Sequence, residues 1–345
     1  MPFPGGEDAP LWVNLAIFLF AGIVVWFGGV RLTHALDAIA IKTGLGQAFV
    51  GMLLLGGITS LPEIANVISA SLSEAPRLAI NNLLGSAAIN VVLLAAADAA
   101  IGRGAITSIV AKPATMMMCA LCMMVLCTVA FAITVGDIEV ASVGLWPIAI
   151  FGLSIAFFGL AASYGKRAPW MVREEKGEPD DDKDDAPKSS LRGLIIQATI
   201  AGMVIFIAGF TLSQTGDAIA EQTGLGTGMV GFLLIGISTS MPELSSIVTA
   251  LKLRRYEMAF GQVMGTNFIN LSLFLLADLV YTGGPVINEL GPFEVTSALL
   301  GLALIGIFLV GLLERRDPKV LRMGYDSLAV LLLFPAGVAL LYGLR

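Results

Sequence analysis

Uncharged runs of about 18 residues or more recur from one end of this chain to the other, and nothing else restricts its fold as strongly. Each run can cross a hydrocarbon core about 30 Å thick as a helix. Only 13% of the 345 residues are charged, where a soluble domain carries about 25%. A soluble enzyme is thereby excluded. The sequence predicts an all-α, polytopic membrane protein with helices near 11–33, 46–72, 76–101, 109–135, 141–165, 193–213, 226–251, 258–281, 294–313 and 325–344.

The one long polar stretch, 166–192, contains eight acidic residues between Glu174 and Asp185 and is broken by Pro179 and Pro187. It reads as a solvated linker between a first unit, 1–165, and a second, 193–345. Glu7 and Asp8 precede the first run and no Lys or Arg occurs before Arg31, which argues against a cleaved signal peptide. Cys119, Cys122 and Cys127 share one apolar run, so a disulfide framework is not indicated.

Lys and Arg favour cytoplasmic loops. With the N-terminus outside, ten spans place 18 of the 20 basic residues on the inner side, leaving Arg77 and Arg345 outside. The outer loops instead carry Asp137, Glu139, Asp217, Glu221, Glu289 and Glu294. The expectation is a multi-pass protein of the cell (inner) membrane with both termini outside and the 166–192 loop cytoplasmic.

An internal repeat with an offset of 180 residues runs through the chain. Residues 21–104 align without a gap on 201–284, with 31 of 84 positions identical. DAIA recurs at 37 and 217, TGLG at 43 and 223, and GGITSLPE (56–63) answers GISTSMPE (236–243). Downstream, GSAAIN (85–90) answers GTNFIN (265–270). One period holds five spans, an odd number, so the copies enter the membrane from opposite sides. Inverted repeats of this kind mark secondary transporters, whose two halves offer a midplane site to each side in turn.

Glu63 and Glu243 are repeat mates deep inside apolar runs, with nothing basic nearby in sequence. A charge at the bilayer centre costs at least ~2.5–3.5 kcal/mol, so an intramembrane carboxylate is a functional candidate. Each follows a proline, Pro62 or Pro242, and glycines at 56, 57 and 236 loosen the same turns. Proline breaks the helical ladder, and broken backbone at membrane depth is tolerated where it lines a cavity. Thr59, Ser60, Thr239 and Ser240 add hydroxyls, while Ser86 and Asn90, and Thr266 and Asn270, stand four residues apart and so share a helix face. Carboxylates, amides, hydroxyls and carbonyls form an all-oxygen donor set suited to a hard cation, and Ca²⁺ accepts 6–8 oxygens in flexible geometry. Two ionised Glu neutralise one Ca²⁺; Na⁺ or protons meet the same charge, so competition for one site becomes antiport.

These residues resemble the calcium/cation antiporter superfamily, which includes sodium/calcium and proton/calcium exchangers. The resemblance covers nearly the whole chain: two inverted repeats, each with a TS-x-PE segment and a G-[ST]-x-x-x-N segment. It implies Glu63 and Glu243 as central Ca²⁺ ligands, Ser60, Ser86, Ser240 and Thr266 as helpers for Na⁺, Asn90 and Asn270 completing the centre, and backbone oxygens at Gly56, Thr59, Gly236 and Thr239. It also implies no cofactor and no enzymatic activity; the partners are membrane lipid and inorganic cations, not nucleic acid. Ile58 and Ser238 replace the glycine of the family's usual GTS-x-PE, and Asn270 stands where many members have Asp, weakening a potassium-dependent reading. Ala87 opposite Asn267 makes the halves unequal. The driving ion, Na⁺ or H⁺, stays open.

A cation channel, a transporter of another divalent ion and an intramembrane protease are the alternatives. The protease lacks a nucleophile constellation, and the inverted repeat favours a carrier over a channel. The Met- and Cys-rich stretch 116–127 could suit Cu(I) but has no counterpart in the second repeat, so packing is the better reading. Asp98 and Asp278, near the ends of their spans, read as interface anchors.

Overall fold

The uncharged runs are helices. The computed structural model describes residues 9–101, 105–140, 142–164, 189–223, 229–315, 319–320 and 323–344. In chain order the long helices are α1 (Leu11–Thr43), α2 (Gln47–Leu72), α3 (Pro76–Ile101), α4 (Pro113–Val135) and α5 (Leu145–Tyr164). The second repeat supplies α6 (Leu191–Thr223), α7 (230–252), α8 (Tyr256–Val280), α9 (Pro292–Glu314) and α10 (Tyr325–Tyr342). Among the described residues, nine of these are long and apolar enough to span a membrane, and α7 is the repeat mate of α2. The expected acidic linker lies outside the described residues up to 188.

Several helices extend beyond their expected ends. The first helix, expected to end near 33, runs on to Thr43 and takes in His34 and Asp37. Likewise α6 continues to Thr223 and takes in Asp217 and Glu221, and Glu294 belongs to the first turn of α9. Charge shows where a helix leaves hydrocarbon, whereas backbone hydrogen bonding decides where it stops. The fold also has two small antiparallel strand pairs: β1 (Glu139–Val140) with β2 (Val143–Gly144), and β3 (Lys319–Val320) with β4 (Met323–Gly324).

The repeats interlock. α3 packs on the opening of α7 and α8 on that of α2, while α1 lies along α6 and reaches α7. The central α3 has 72% of its apolar window buried, against 22% for the peripheral α5 and α10. Both α2 and α7 open with π-helical turns, Gly51–Leu55 and Val230–Ile235; π-turns concentrate at functional sites. These turns press backbone to backbone on the opposite repeat. A Cβ at Gly85 would overlap the Phe232 carbonyl, and one at Gly265 the Met52 carbonyl.

Asp98 and Asp278 are buried locks at the loop ends. Asp98 accepts from the backbone N–H of Ile106 at 3.2 Å and Gly324 at 3.4 Å, and from the Ser327 hydroxyl at 2.8 Å. Asp278 accepts from the N–H of Val286 at 2.7 Å and Gly144 at 2.6 Å. Each therefore ties its own repeat's loop to the other repeat's hairpin.

Gly85→Ala and Gly265→Ala should each destabilise the protein by about 1–3 kcal/mol through overpacking. Gly152→Ala and Gly159→Ala, with nothing within 4 Å of an added Cβ, should leave the melting temperature in detergent unchanged.

Candidate cation-binding site

Pro62 and Pro242 stand in the first turn of the second halves of α2 and α7, after a break at Ser60 (φ −79°, ψ 2°) and Ser240 (φ −85°, ψ 5°). A proline lacks the N–H needed to continue the preceding ladder but fits a helix's first turn. The sequence thus ends one half-helix and starts another inside the bundle, which puts Glu63 and Glu243 at helix N-termini. An N-terminus carries roughly half a positive charge and attracts anions.

Both carboxylates are completely buried, and all four of their oxygens lack a hydrogen-bond partner. Glu63 and Glu243 are close enough to repel one another. The hydroxyls of Thr239 and Ser86 lie beside Glu63, and that of Thr59 beside Glu243, so each acid meets groups of the other repeat. The Asn90 and Asn270 amides, the Ser240 hydroxyl and the Thr266 hydroxyl are likewise buried without partners. Buried polar groups are nearly always paired. Two buried carboxylates, with further buried oxygens left unpaired on the same motif helices, make a donor set that suits a dehydrated cation.

The structure brings all twelve sequence-expected residues into the buried interior. Ser86 and Thr239 hydroxyls pair across the repeats at 3.1 Å. Gly56 abuts Thr266, and Gly236 abuts Ser86, each closely enough that a Cβ would crowd the neighbour's backbone nitrogen at 3.0 and 3.3 Å. The Gly56 carbonyl accepts from the Ser60 N–H at 3.1 Å and its hydroxyl at 2.8 Å. Thr59 and Thr239 also turn toward the carbonyls of Gly56 and Gly236, at 3.3 and 3.4 Å.

Sequence reasoning missed a polar layer behind the donors. Asn82 accepts the Thr239 hydroxyl at 3.1 Å and donates to Asn66 at 2.9 Å, and Asn66 donates to Ser213 at 2.7 Å. In the mirror position Gln262 donates to Ser246 at 2.5 Å. The same 180-residue offset relates Asn66 to Ser246 and Asn82 to Gln262, and Asn82 and Gln262 precede Ser86 and Thr266 by four residues. That recurrence was the available signal.

Cys119 and Cys122 are buried in α4 rather than at the carboxylates, with Cys119 4.0 Å from the Met264 sulfur. Among the described residues no group of three or more His, Cys, Asp or Glu could hold a metal, so the donor set rests on two acids plus neutral oxygens.

A model of the sodium/calcium exchanger protein family matches residues 13–160 and 194–343. Inner membrane protein YrbG of Escherichia coli (strain K12) is 26% identical, covering 88% of this chain and 90% of its own length. The sodium/calcium exchanger MaX1 of Methanosarcina acetivorans is 23% identical, covering 93% and 99%. Among solved structures, the sodium-calcium exchanger NCX_Mj soaked with 2.5 mM Na⁺ and 10 mM Sr²⁺ matches with a TM-score of 0.64 at 18% identity, covering 96% of this chain and 99% of that one. This is a likeness of fold.

If cations satisfy these oxygens, Ca²⁺ should raise the melting temperature of the purified protein, by a stabilisation of about 2.7 kcal/mol at 100 times its Kd. Glu63→Gln and Glu243→Gln should lose that response. In chelator both variants should melt no lower than the parent, because Gln removes a buried charge whose desolvation costs several kcal/mol. A variant that melts lower in chelator yet still responds to Ca²⁺ would contradict the assignment.

Proposed function

The chain belongs to the sodium/calcium exchanger protein family, and from that premise we propose that it exchanges Ca²⁺ for Na⁺ or H⁺ through the site between Glu63 and Glu243. The observation that carries this reading is the pair of buried carboxylates whose four oxygens have no partner. One Ca²⁺ offsets their charge, and so do monovalent cations or protons. The two loads therefore exclude each other. The empty, doubly charged centre is the costly state, because a buried ion deprived of its partner is penalised by several kcal/mol. A protein that changes its exposure only when loaded carries one cation each way and does not leak.

Glu63 and Glu243 are assigned the Ca²⁺. Ser60, Ser86, Ser240 and Thr266 supply hydroxyls, Asn90 and Asn270 neutral amide oxygens, and Gly56, Thr59, Gly236 and Thr239 backbone oxygens. Asn at both 90 and 270 leaves two formal charges at the centre and no third. The assigned chemistry is ion movement without bond making. In orientation the N-terminus and the end of α10 face outward, on the opposite side from Lys252, Arg254, Arg255 and Arg315.

Purified protein in liposomes should move ⁴⁵Ca²⁺ when a Na⁺ or pH gradient is imposed and not when both are absent. Glu63→Gln and Glu243→Gln should each lower that flux at least about tenfold, equivalent to 1.4 kcal/mol. Ca²⁺ passing down its own gradient without a counter-ion would favour a channel. For orientation, a cysteine placed at Gly343 should react with an impermeant maleimide in intact cells, and one replacing Lys252 should react only after the membrane is opened. The reverse pattern would invert the topology.

A further inference from the structure

We infer that the groove between α1 and α6 is a binding site for an anionic phospholipid. The groove encloses a cavity of about 520 Å³, within the size range of ligand pockets. Ile23 and Phe27 of α1 and Ile200 and Val204 of α6 form apolar walls, while Arg31 and Gln197 supply its polar lining. Ile23, Phe27 and Ile200 are more than half exposed on a surface that faces lipid. An acyl chain matches those walls.

Arg31 selects the headgroup. It lies 20 residues into α1, about 30 Å along the helix axis, which is one hydrocarbon thickness from Leu11. Its side chain is exposed. The two ion pairs among the described residues are Lys112–Glu257 and Arg255–Asp37, and Arg31 belongs to neither. A cation at this depth is costly unless it reaches an interface or a counter-charge. A lipid phosphate supplies that counter-charge in the bidentate geometry guanidinium favours, and Gln197 adds amide hydrogens beside it.

The repeat sharpens the argument. Arg31 has Thr211 as its mate, and Gln197 has Ile17. Thr211 spends its hydroxyl on the Ile207 carbonyl of its own helix at 2.9 Å, and Ile17 has no polar group to add. The mirror end of the same helix pair thus has no cation to offer. The polar end is confined to one leaflet, on the side where the chain's basic loops gather and where anionic lipid is attracted by polybasic segments. The inference rests on α1 and α6 lying in the membrane and not on which ions are moved.

Native mass spectrometry after incubation with phosphatidylglycerol or phosphatidylcholine tests the proposal. The parent protein should retain phosphatidylglycerol in preference to phosphatidylcholine, and Arg31→Gln should lower that retained fraction about tenfold. Ile200→Trp, which fills the groove with Arg31 intact, should do the same, and Lys252→Gln, outside the groove, should not. A Ca²⁺-dependent melting shift in each variant confirms that it is folded and separates this outcome from failure of the exchanger reading. Retention unchanged in both groove variants overturns the proposal; equal loss in Lys252→Gln does so as well, by reducing the effect to general charge attraction.

Discussion

Glu63 and Glu243 are fully buried electrostatic neighbours with no ion-pair partner among the described residues and only the hydroxyls of Thr239, Ser86 and Thr59 beside them, and the broken helices around them are built to hold them there. The proline breaks place both acids at half-helix N-termini. A helix dipole returns about 0.3–1 kcal/mol, up to about 2 in a partly buried setting. Removing an ion from water costs several kcal/mol. The dipoles therefore cover only part of the cost, and the remainder is available as affinity for whatever cation enters.

Neither repeat can build this arrangement alone. Glu63 faces Thr239 and Ser86, Glu243 faces Thr59, and the Ser86 hydroxyl meets Thr239 across the repeats. Gly85 and Gly265 admit the opposite π-turn at backbone distance, and Asp98 and Asp278 hold the opposite hairpin. The centre is thus an interface between repeats, so any displacement of one repeat against the other alters it.

Hydrophobic runs, the 180-residue offset and the two acids were legible because each is written in residue type alone. Helix ends were not. His34 and Asp37 fall past the expected end of the first span near 33, yet α1 continues through them, and Asp37 is fixed by Arg255 at 2.7 Å and by Gln47 at 3.0 Å. Glu294 looked like a loop charge, but it is buried, accepting from Asn81 at 2.8 Å and from the Gly291 N–H at 2.7 Å. The Arg255 and Asn81 pairings join residues more than 200 positions apart, and no local pattern announces them. Asn66 and Asn82 were passed over for a related reason: single amides in apolar helices look like interhelical glue until their partners are seen.

The same amides break the equivalence of the halves. The Asn82 amide oxygen stands 3.1 Å from the Thr239 hydroxyl, which the Ser86 hydroxyl also meets at 3.1 Å, so Asn82 joins the two repeats beside Glu63. Gln262, its mate, has an amide oxygen with no donor, and the Thr266 hydroxyl also has none. The polar layer behind the motif helices is therefore fully paired at Asn82 in the first repeat and only half paired at Gln262 in the second. Inverted repeats that match at their motif residues thus differ in the amides packed behind them, and any function that uses both halves works with two unequal environments.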